Sequence, residues 1–336
     1  MRIALDVMGG DRGPDEIIRG ALLAVDEFDL ETILLGPREV VEKGLTSAAC
    51  TESQRKRIHI EHASQAVGMD ESPVVAIRKK KDSTIMVGFD LVKQGRADAL
   101  VSAGNSGATM AAGIKKLGRL KNVMRPGIAG IFPTLKTPVI IMDVGANVEC
   151  RPQYLVQFAV MAAACANVLF HKQSPKVGLL SIGEEAGKGN TLIKETHDLL
   201  KQSFLNYEGN VEGRDVFQGE VDVIVCDGFV GNICLKISEG LAEAAMKMLG
   251  QEIRKSLAAQ VGYLLARKAF RDFKKRVDYA EYGGAPLLGI NGIAIISHGK
   301  STALAIKNAI KVAAEMVDHR VNDSIVTTLA RNTLRQ

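Results

Sequence analysis

Ile128-Ala129-Gly130-Ile131-Phe132, then Pro133-Thr134-Leu135-Lys136-Thr137-Pro138, then Val139-Ile140-Ile141-Met142-Asp143: two apolar runs of strand length stand six residues apart. Parallel neighbours need a crossover of about a dozen residues or more, so this link reads as a hairpin and makes the sheet mixed. Outward from it, apolar runs rich in β-branched residues alternate with helical patterns. Strands are expected at Arg2–Val7, Thr32–Leu35, Arg57–Glu61, Ala99–Ser102, Lys176–Ser181, Val221–Cys226 and Ile293–Ile296. Helices are expected at Asp15–Glu27, Thr84–Gln94, Ser106–Leu117, Gln153–Phe170, Thr191–Ser203, Asn232–Leu249 and Ser301–Val317. This alternation implies a mostly parallel α/β sheet covered on both faces. With no long linker, repeat or low-complexity tract, residues 1–336 read as a single α/β unit, or two intimate lobes.

Composition narrows the class. The five cysteines are scattered and contain no C-x-x-C pair, which points to a reducing cytoplasm and away from a disulfide framework or zinc site. Met1-Arg2-Ile3-Ala4-Leu5-Asp6 already reads as a strand, with no signal-peptide pattern. Pro152–Phe170 carries no charge and approaches the length of a membrane span, but it is Ala-rich and interrupted by Gln153, Gln157 and Asn167. A buried helix is expected there. Eight basic residues against two acidic ones between Gln251 and Val277 outweigh the whole net charge of +5. The excess points to a local acidic partner rather than to nucleic acid, and the absence of Trp agrees.

Six glycine-rich turns follow or precede these elements: Met8–Asp11, Ser102–Ala108, Asp143–Asn147, Gly187–Asn190, Asp227–Asn232 and Tyr282–Ala285. In a parallel sheet such turns gather at the carboxyl edge, where glycine lets amide N–H groups approach an anion. A phosphate-bearing small molecule is the expected ligand. Ser102, Gly104, Asn105, Ser106 and Gly107 make either an anion site or an N-cap with a close helix–strand contact. Lys188 is a phosphate or oxyanion partner, or a solvated loop lysine. Asp227 and Asp143 are proton acceptors or orienting groups, or turn formers, with Asn232 and Asn147 in the same turns, while Asn190 stands in the Lys188 turn. His298 is a donor to a carbonyl or phosphate oxygen, or a turn cap. Asp6 and Asp11 are placed to hold a neighbouring loop. Gly183–Gly189 lacks the spacing and the hydroxyl of a P-loop, and the first turn lacks G-x-G-x-x-G. No G-x-S-x-G elbow exists, and Cys226 reads as strand core.

Taken in order, these turns resemble those of the bacterial phosphate acyltransferases of phospholipid synthesis, the acyl-carrier-protein:phosphate transacylases. The resemblance runs through Asp6 with Met8–Asp11, Ser102–Ala108, Arg125-Pro126, Asp143–Asn147, Lys188–Asn190, Asp227–Asn232, Tyr282–Ala285 and His298-Gly299. Val230 stands where the family often has Thr, and Arg12 where some relatives have His. The resemblance implies a three-layer α/β/α fold with a mixed sheet, similar to isocitrate and isopropylmalate dehydrogenases and to phosphotransacetylase. It implies a homodimer and no metal or nucleotide cofactor. It also implies a reaction in which inorganic phosphate displaces the carrier thiol from a long-chain acyl thioester. The acyl phosphate formed serves a membrane glycerol-3-phosphate acyltransferase.

The residues suit that chemistry. Phosphate is largely ionised near neutral pH and a thiolate leaves readily, so positioning and oxyanion stabilisation suffice. Direct attack in a ternary complex is expected, with Ser102, Asn105, Ser106 and Lys188 holding phosphate or oxyanion and Asp227 and His298 orienting them. The basic segment at about 236–277 sets Ile253, Leu257, Val261, Leu264 and Leu265 at helical spacing beside Arg254 and Lys255. It is a core or dimer helix, or a contact for an anionic membrane or an acidic carrier protein. A cytoplasmic protein attached peripherally to the inner face of the cell membrane is expected. The rivals are a coenzyme A phosphotransacylase, a dehydrogenase and a non-catalytic membrane scaffold.

Overall fold

The computed structural model describes residues 1–277 and 279–333. Its strands are β1 (Arg2–Asp6), β2 (Glu31–Gly36), β3 (Ile58–His62), β4 (Ala99–Ser102), β5 (Gly127–Phe132), β6 (Val139–Met142), β7 (Lys176–Leu180), β8 (Asn206–Val211), β9 (Val223–Val225), β10 (Ala285–Leu288) and β11 (Ile293–Ile296). The helices are α1 (Pro14–Glu27), α2 (Arg38–Ser47), α3 (Glu52–Arg55), α4 (Pro73–Lys79), α5 (Thr84–Lys93), α6 (Ser106–Leu117), α7 (Pro152–Phe170), α8 (Thr191–Lys201), α9 (Gly228–Arg254), α10 (Leu257–Leu265), α11 (Arg267–Val277), α12 (Ala303–Asp318) and α13 (Val321–Thr333).

All the strands join one 11-stranded sheet in the order β3-β2-β1-β4-β11-β10-β5-β6-β9-β7-β8. The short link does close a hairpin, with Phe132 opposite Val139 in the antiparallel β5–β6 pair. Thr134 fixes its turn by donating to the Thr137 carbonyl (2.7 Å) and accepting from the Lys136 N–H (3.0 Å). Two strands escape the apolar pattern. β8 is a polar edge strand bent at Gly209 (φ 116°). β10 contains Pro286, which is disfavoured inside a sheet, yet it pairs antiparallel with both β11 and β5.

Alternate strand residues feed two apolar layers. Ile3, Leu5, Val101 and Ile295 pack with α1, α7 and α12, while Ala4, Leu100 and Ala294 pack with α5 and α6. The result is three-layered, with helices on both faces of the sheet. The charge-free stretch becomes α7, whose Phe158, Ala159, Val160 and Met161 are fully enclosed by the protein. Its alanines let α8 and α13 approach closely.

The expectation that every turn gathers at one edge is corrected. β1–β4 and β11 are parallel, and so are β6, β9, β7 and β8, but the antiparallel seam β11-β10-β5-β6 reverses the second block. Each block therefore presents its carboxyl ends at its own edge. Twist of roughly 20–25° per strand step accumulates to about 100–125° between β4 and β9. This rotation keeps the two edges from pointing directly away from each other, and α9 spans between them.

Candidate active site

The first cluster lies at the carboxyl ends of β1, β4 and β11. Its centre is Asp6, buried, which accepts from Ser102 Oγ (2.7 Å) and the Met8 N–H (3.2 Å). Burial pushes the Asp6 carboxyl above its ordinary range, against hydrogen bonds from Thr84, Ser102, Met8 and Gly9. Ser102 also accepts from the Gly104 N–H at 3.1 Å and is 1% exposed. A Cβ on Gly9 would lie 2.7 Å from the Gly104 nitrogen, so these two glycines serve loop-to-loop contact. Asp6 thus holds a neighbouring loop, as its position in the sequence suggests.

Two expected anion ligands are corrected here. Ser102 is spent on Asp6 and Gly104 inside the protein. Asn105 caps α6 by accepting from the Ala108 N–H (2.9 Å), and its Nδ2 faces the carbonyls of Gly68 (3.3 Å), Met69 (3.2 Å) and Glu71 (3.0 Å). Its amide therefore ties two loops together. Gly107 lets Pro73 approach, since a Cβ would stand 2.7 Å from Pro73 Cγ. What faces outward is Ser106, exposed, with the Ser106 and Gly107 N–H groups unengaged among the described residues.

His298 follows β11. Its Nδ1 accepts from the Lys300 N–H (3.0 Å), which leaves the ring proton on Nε2, 3.6 Å from Glu239 Oε2. Glu239 belongs to α9, twelve residues beyond the Asp227 cap, or roughly 18 Å along the helix. The helix thus separates the Asp227 cap from the His298 ring.

The second cluster lies at the carboxyl ends of β6, β9 and β7, which are neighbours in the sheet. Asp143 is buried and accepts from the N–H groups of Ile128 (3.1 Å), Gly145 (3.2 Å), Ala146 (3.0 Å) and Asn147 (2.6 Å). Burial raises its carboxyl above the ordinary range, while the Ala146 amide and the Asn147 side chain pull it down. Asn147 Nδ2 donates to Asp143 (2.9 Å) and to the Pro126 carbonyl (2.8 Å).

The Asp227–Asn232 segment is no open turn. Asp227 caps α9, accepting from the Phe229 (3.0 Å) and Val230 (2.9 Å) N–H groups, and the Gly228 N–H donates to Asn147 O (2.8 Å). The first amides of α9 are thereby taken. A Cβ on Gly231 would lie 1.9 Å from Asp143 O, so glycine here lets the helix press onto the Asp143 loop. Asn232 is half-buried against Gly145.

Lys188 differs. Its backbone N–H bonds Glu185 O (2.9 Å), and its stem covers Gly183, but its ammonium is exposed and has no carboxylate partner among the described residues. Asn190 caps α8 by accepting from the Ile193 N–H (3.0 Å), while the Thr191 and Leu192 N–H groups remain unengaged among the described residues. Asn210 fastens this loop by donating to Glu185 O (3.0 Å). Ile182 (83% exposed), Val148 (62%) and Phe229 (57%) set apolar surface on the loops and helix start that carry these polar groups.

A nucleophilic cysteine has no support. Cys226 is buried beside Asp143 O, and Cys150 is pushed up to about 12, chiefly by burial. The basic segment divides between the end of α9, carrying Arg254, and the helices α10 and α11, with Leu257, Val261 and Leu264 exposed on α10. The sequence shows no signal for Glu239, whose spacing is that of any solvated helix position. Arg125 enters the sequence only through the family resemblance.

Comparison with known proteins gives a consistent picture. The sequence model of a family described as "Fatty acid synthesis protein" matches residues 1–324. Proteins named "Phosphate acyltransferase" are similar across the chain. That of Geotalea uraniireducens is 54% identical, covering 99% of this chain and 95% of its own length. That of Geobacter sulfurreducens is 54% identical, covering 97% and 93%. Among solved structures, a phosphotransacetylase from Streptococcus pyogenes aligns with a TM-score of 0.63 at 21% identity, covering 95% of this chain and 94% of that one. A 4-hydroxythreonine-4-phosphate dehydrogenase from Klebsiella pneumoniae aligns at 0.50 and 13% identity, covering 94% and 99%. Both structural likenesses concern the fold alone.

Proposed function

This chain belongs to the phosphate acyltransferases of phospholipid synthesis, and on that premise we propose that its donor is a long-chain acyl thioester of acyl carrier protein and its acceptor inorganic phosphate. A phosphate oxygen attacks the thioester carbonyl carbon, a C–O bond forms and the C–S bond breaks. The departing thiolate takes up the proton that hydrogen phosphate loses, so no covalent acyl-enzyme is needed. The carrying observation is Lys188: an exposed ammonium with no carboxylate partner among the described residues, beside an α8 N-terminus where two N–H groups are unengaged among those residues. Asn190 and Asn232 add polar groups in the second cluster, and Ile182, Val148 and Phe229 offer apolar surface to an acyl chain. Soaking orthophosphate into crystals tests this. The ion is expected within hydrogen-bond distance of Lys188 Nζ, and an ion bound at Ser106 and His298 instead would overturn the assignment.

The same proposal extends to assembly and location. Val230, Ile233, Ile237, Leu241 and Met248 form an exposed apolar stripe along α9 on the face away from Glu239, suited to a second copy of the chain in a homodimer. Beyond it, Leu257 (82% exposed) and Leu265 (86%) accompany Lys255, Arg267, Lys268 and Arg271, which suits peripheral attachment to an anionic membrane on the cytoplasmic side. There the product would meet the membrane glycerol-3-phosphate acyltransferase. Leu257→Glu is expected to abolish sedimentation with anionic phospholipid vesicles. Unchanged sedimentation would remove α10 as the anchor.

A further inference from the structure

We propose that the acidic carrier protein docks on a second basic surface, made by Arg119, Lys121, Arg125 and Arg151, rather than on the α10–α11 segment. This rests on the reading that a carrier-bound thioester is the donor. Between Ala99 and Met142 the chain has six basic residues and no acidic one. Three of these are turned to internal duties: Lys116 pairs with Asp90 (2.5 Å), Lys136 with Glu220 (2.7 Å), and Lys115 donates to Ile77 O (3.4 Å). The other three cluster after α6. Arg119, Lys121 and Arg125 are exposed and have no carboxylate partner among the described residues.

The surface adjoins the second cluster directly. Arg125 lies 5.8 Å over the Tyr154 ring at the start of α7, and Arg151 is the N-cap residue of that helix. The residue after Arg125 is Pro126, whose carbonyl receives Asn147 Nδ2. Arg119, Leu120, Asn122, Val123 and Met124 line an open groove of about 460 Å³. Met124 and Val148 are exposed apolar contacts, and Glu149 is the one carboxylate in the Val148–Arg151 stretch. Cations without a carboxylate partner among the described residues, interleaved with single apolar side chains, suit an acidic protein surface. The long exposed leucines of α10 suit lipid instead. A carrier seated on this surface delivers its thioester next to Asn147 and the Lys188 turn, with no need to reach from the far end of α9.

The test compares Lys121→Glu and the Arg119→Glu/Lys121→Glu pair with the wild type and with Lys255→Glu. Arg119 also bonds the Met124 carbonyl, so Lys121→Glu alone guards against a folding defect. Two readouts separate the claims: KM for a carrier thioester against an N-acetylcysteamine thioester of the same acid, and binding of unacylated carrier protein by fluorescence anisotropy. The double variant is expected to raise the carrier KM and dissociation constant about tenfold or more, salt-dependently, with the small thioester and vesicle binding unchanged. Equal loss with both thioesters, no change at all, or a carrier defect produced by Lys255→Glu would each overturn the surface. Carrier binding that Lys121→Glu weakens, in a wild type that does not turn over the carrier thioester, would sink the donor reading and leave the surface standing.

Discussion

The Ser102–Ala108 turn and the Gly187–Asn190 turn look alike on paper. Each follows a strand, carries glycine and a polar donor, and opens a helix with an asparagine cap. In three dimensions they differ in where the donors point. Ser102 and Asn105 are spent on Asp6, Gly104, Ala108 and the Gly68–Glu71 loop. Lys188 is spent on nothing charged among the described residues. A glycine-rich turn is therefore open to a ligand only where its donors are not already closing the fold, and that depends on residues far away in the chain.

Three experiments sharpen or break this contrast. The largest effect is expected from Lys188→Met: a drop in kcat/KM of about 10²–10³-fold with the melting temperature nearly unchanged, as for loss of one positioned charge. Steady-state kinetics at varied phosphate would show it, and a drop below threefold would erase the contrast. Asn105→Ala should do the reverse. It removes a cap and an interloop amide, at a cost of about 1–3 kcal/mol in urea unfolding, while leaving the phosphate KM within a few-fold. A tenfold rise in KM without lost stability would place Asn105 back among the ligands.

The smallest effect concerns pH. Burial raises the Asp6 carboxyl above its unfolded value of 3.8, so the native state holds its proton more tightly than the unfolded chain. Asp6 therefore contributes stability that is fully present below about pH 3.8 and fades as pH rises through the folded value. Relative to wild type, Asp6→Asn should flatten that segment of the stability–pH profile. An unaltered profile by thermal melting would show that Asp6 titrates normally.

Much of the fold is legible in the chain because its signals are local. The six-residue link after Phe132 reveals the hairpin, and the alternation of strand and helix patterns reveals the layers. β8 and β10 are hidden because a polar edge strand and a proline-bearing strand both break the apolar pattern. The start of α9 is hidden for a different reason. Gly228 and Gly231 look like turn residues, yet they sit in the first turn of a helix capped by Asp227, where the Asn147 and Asp143 carbonyls leave no room for a side chain. At the site, Lys188 can be read from its place between glycines. The inward use of Ser102 and Asn105 cannot, since their partners lie 96 and up to 37 residues away. Glu239 becomes visible only when α9 is laid beside the loop after β11.

Because α9 carries Glu239 on one side and its greasy stripe on the other, the two are locked in angular phase. An α-helix advances about 100° per residue, so one inserted residue between Asn232 and Glu239 would swing Glu239 and the stripe beyond it out of step with the Asp227 cap and His298. Evolution can lengthen the far end of this rod freely, but within its first turns it can change composition only, not count.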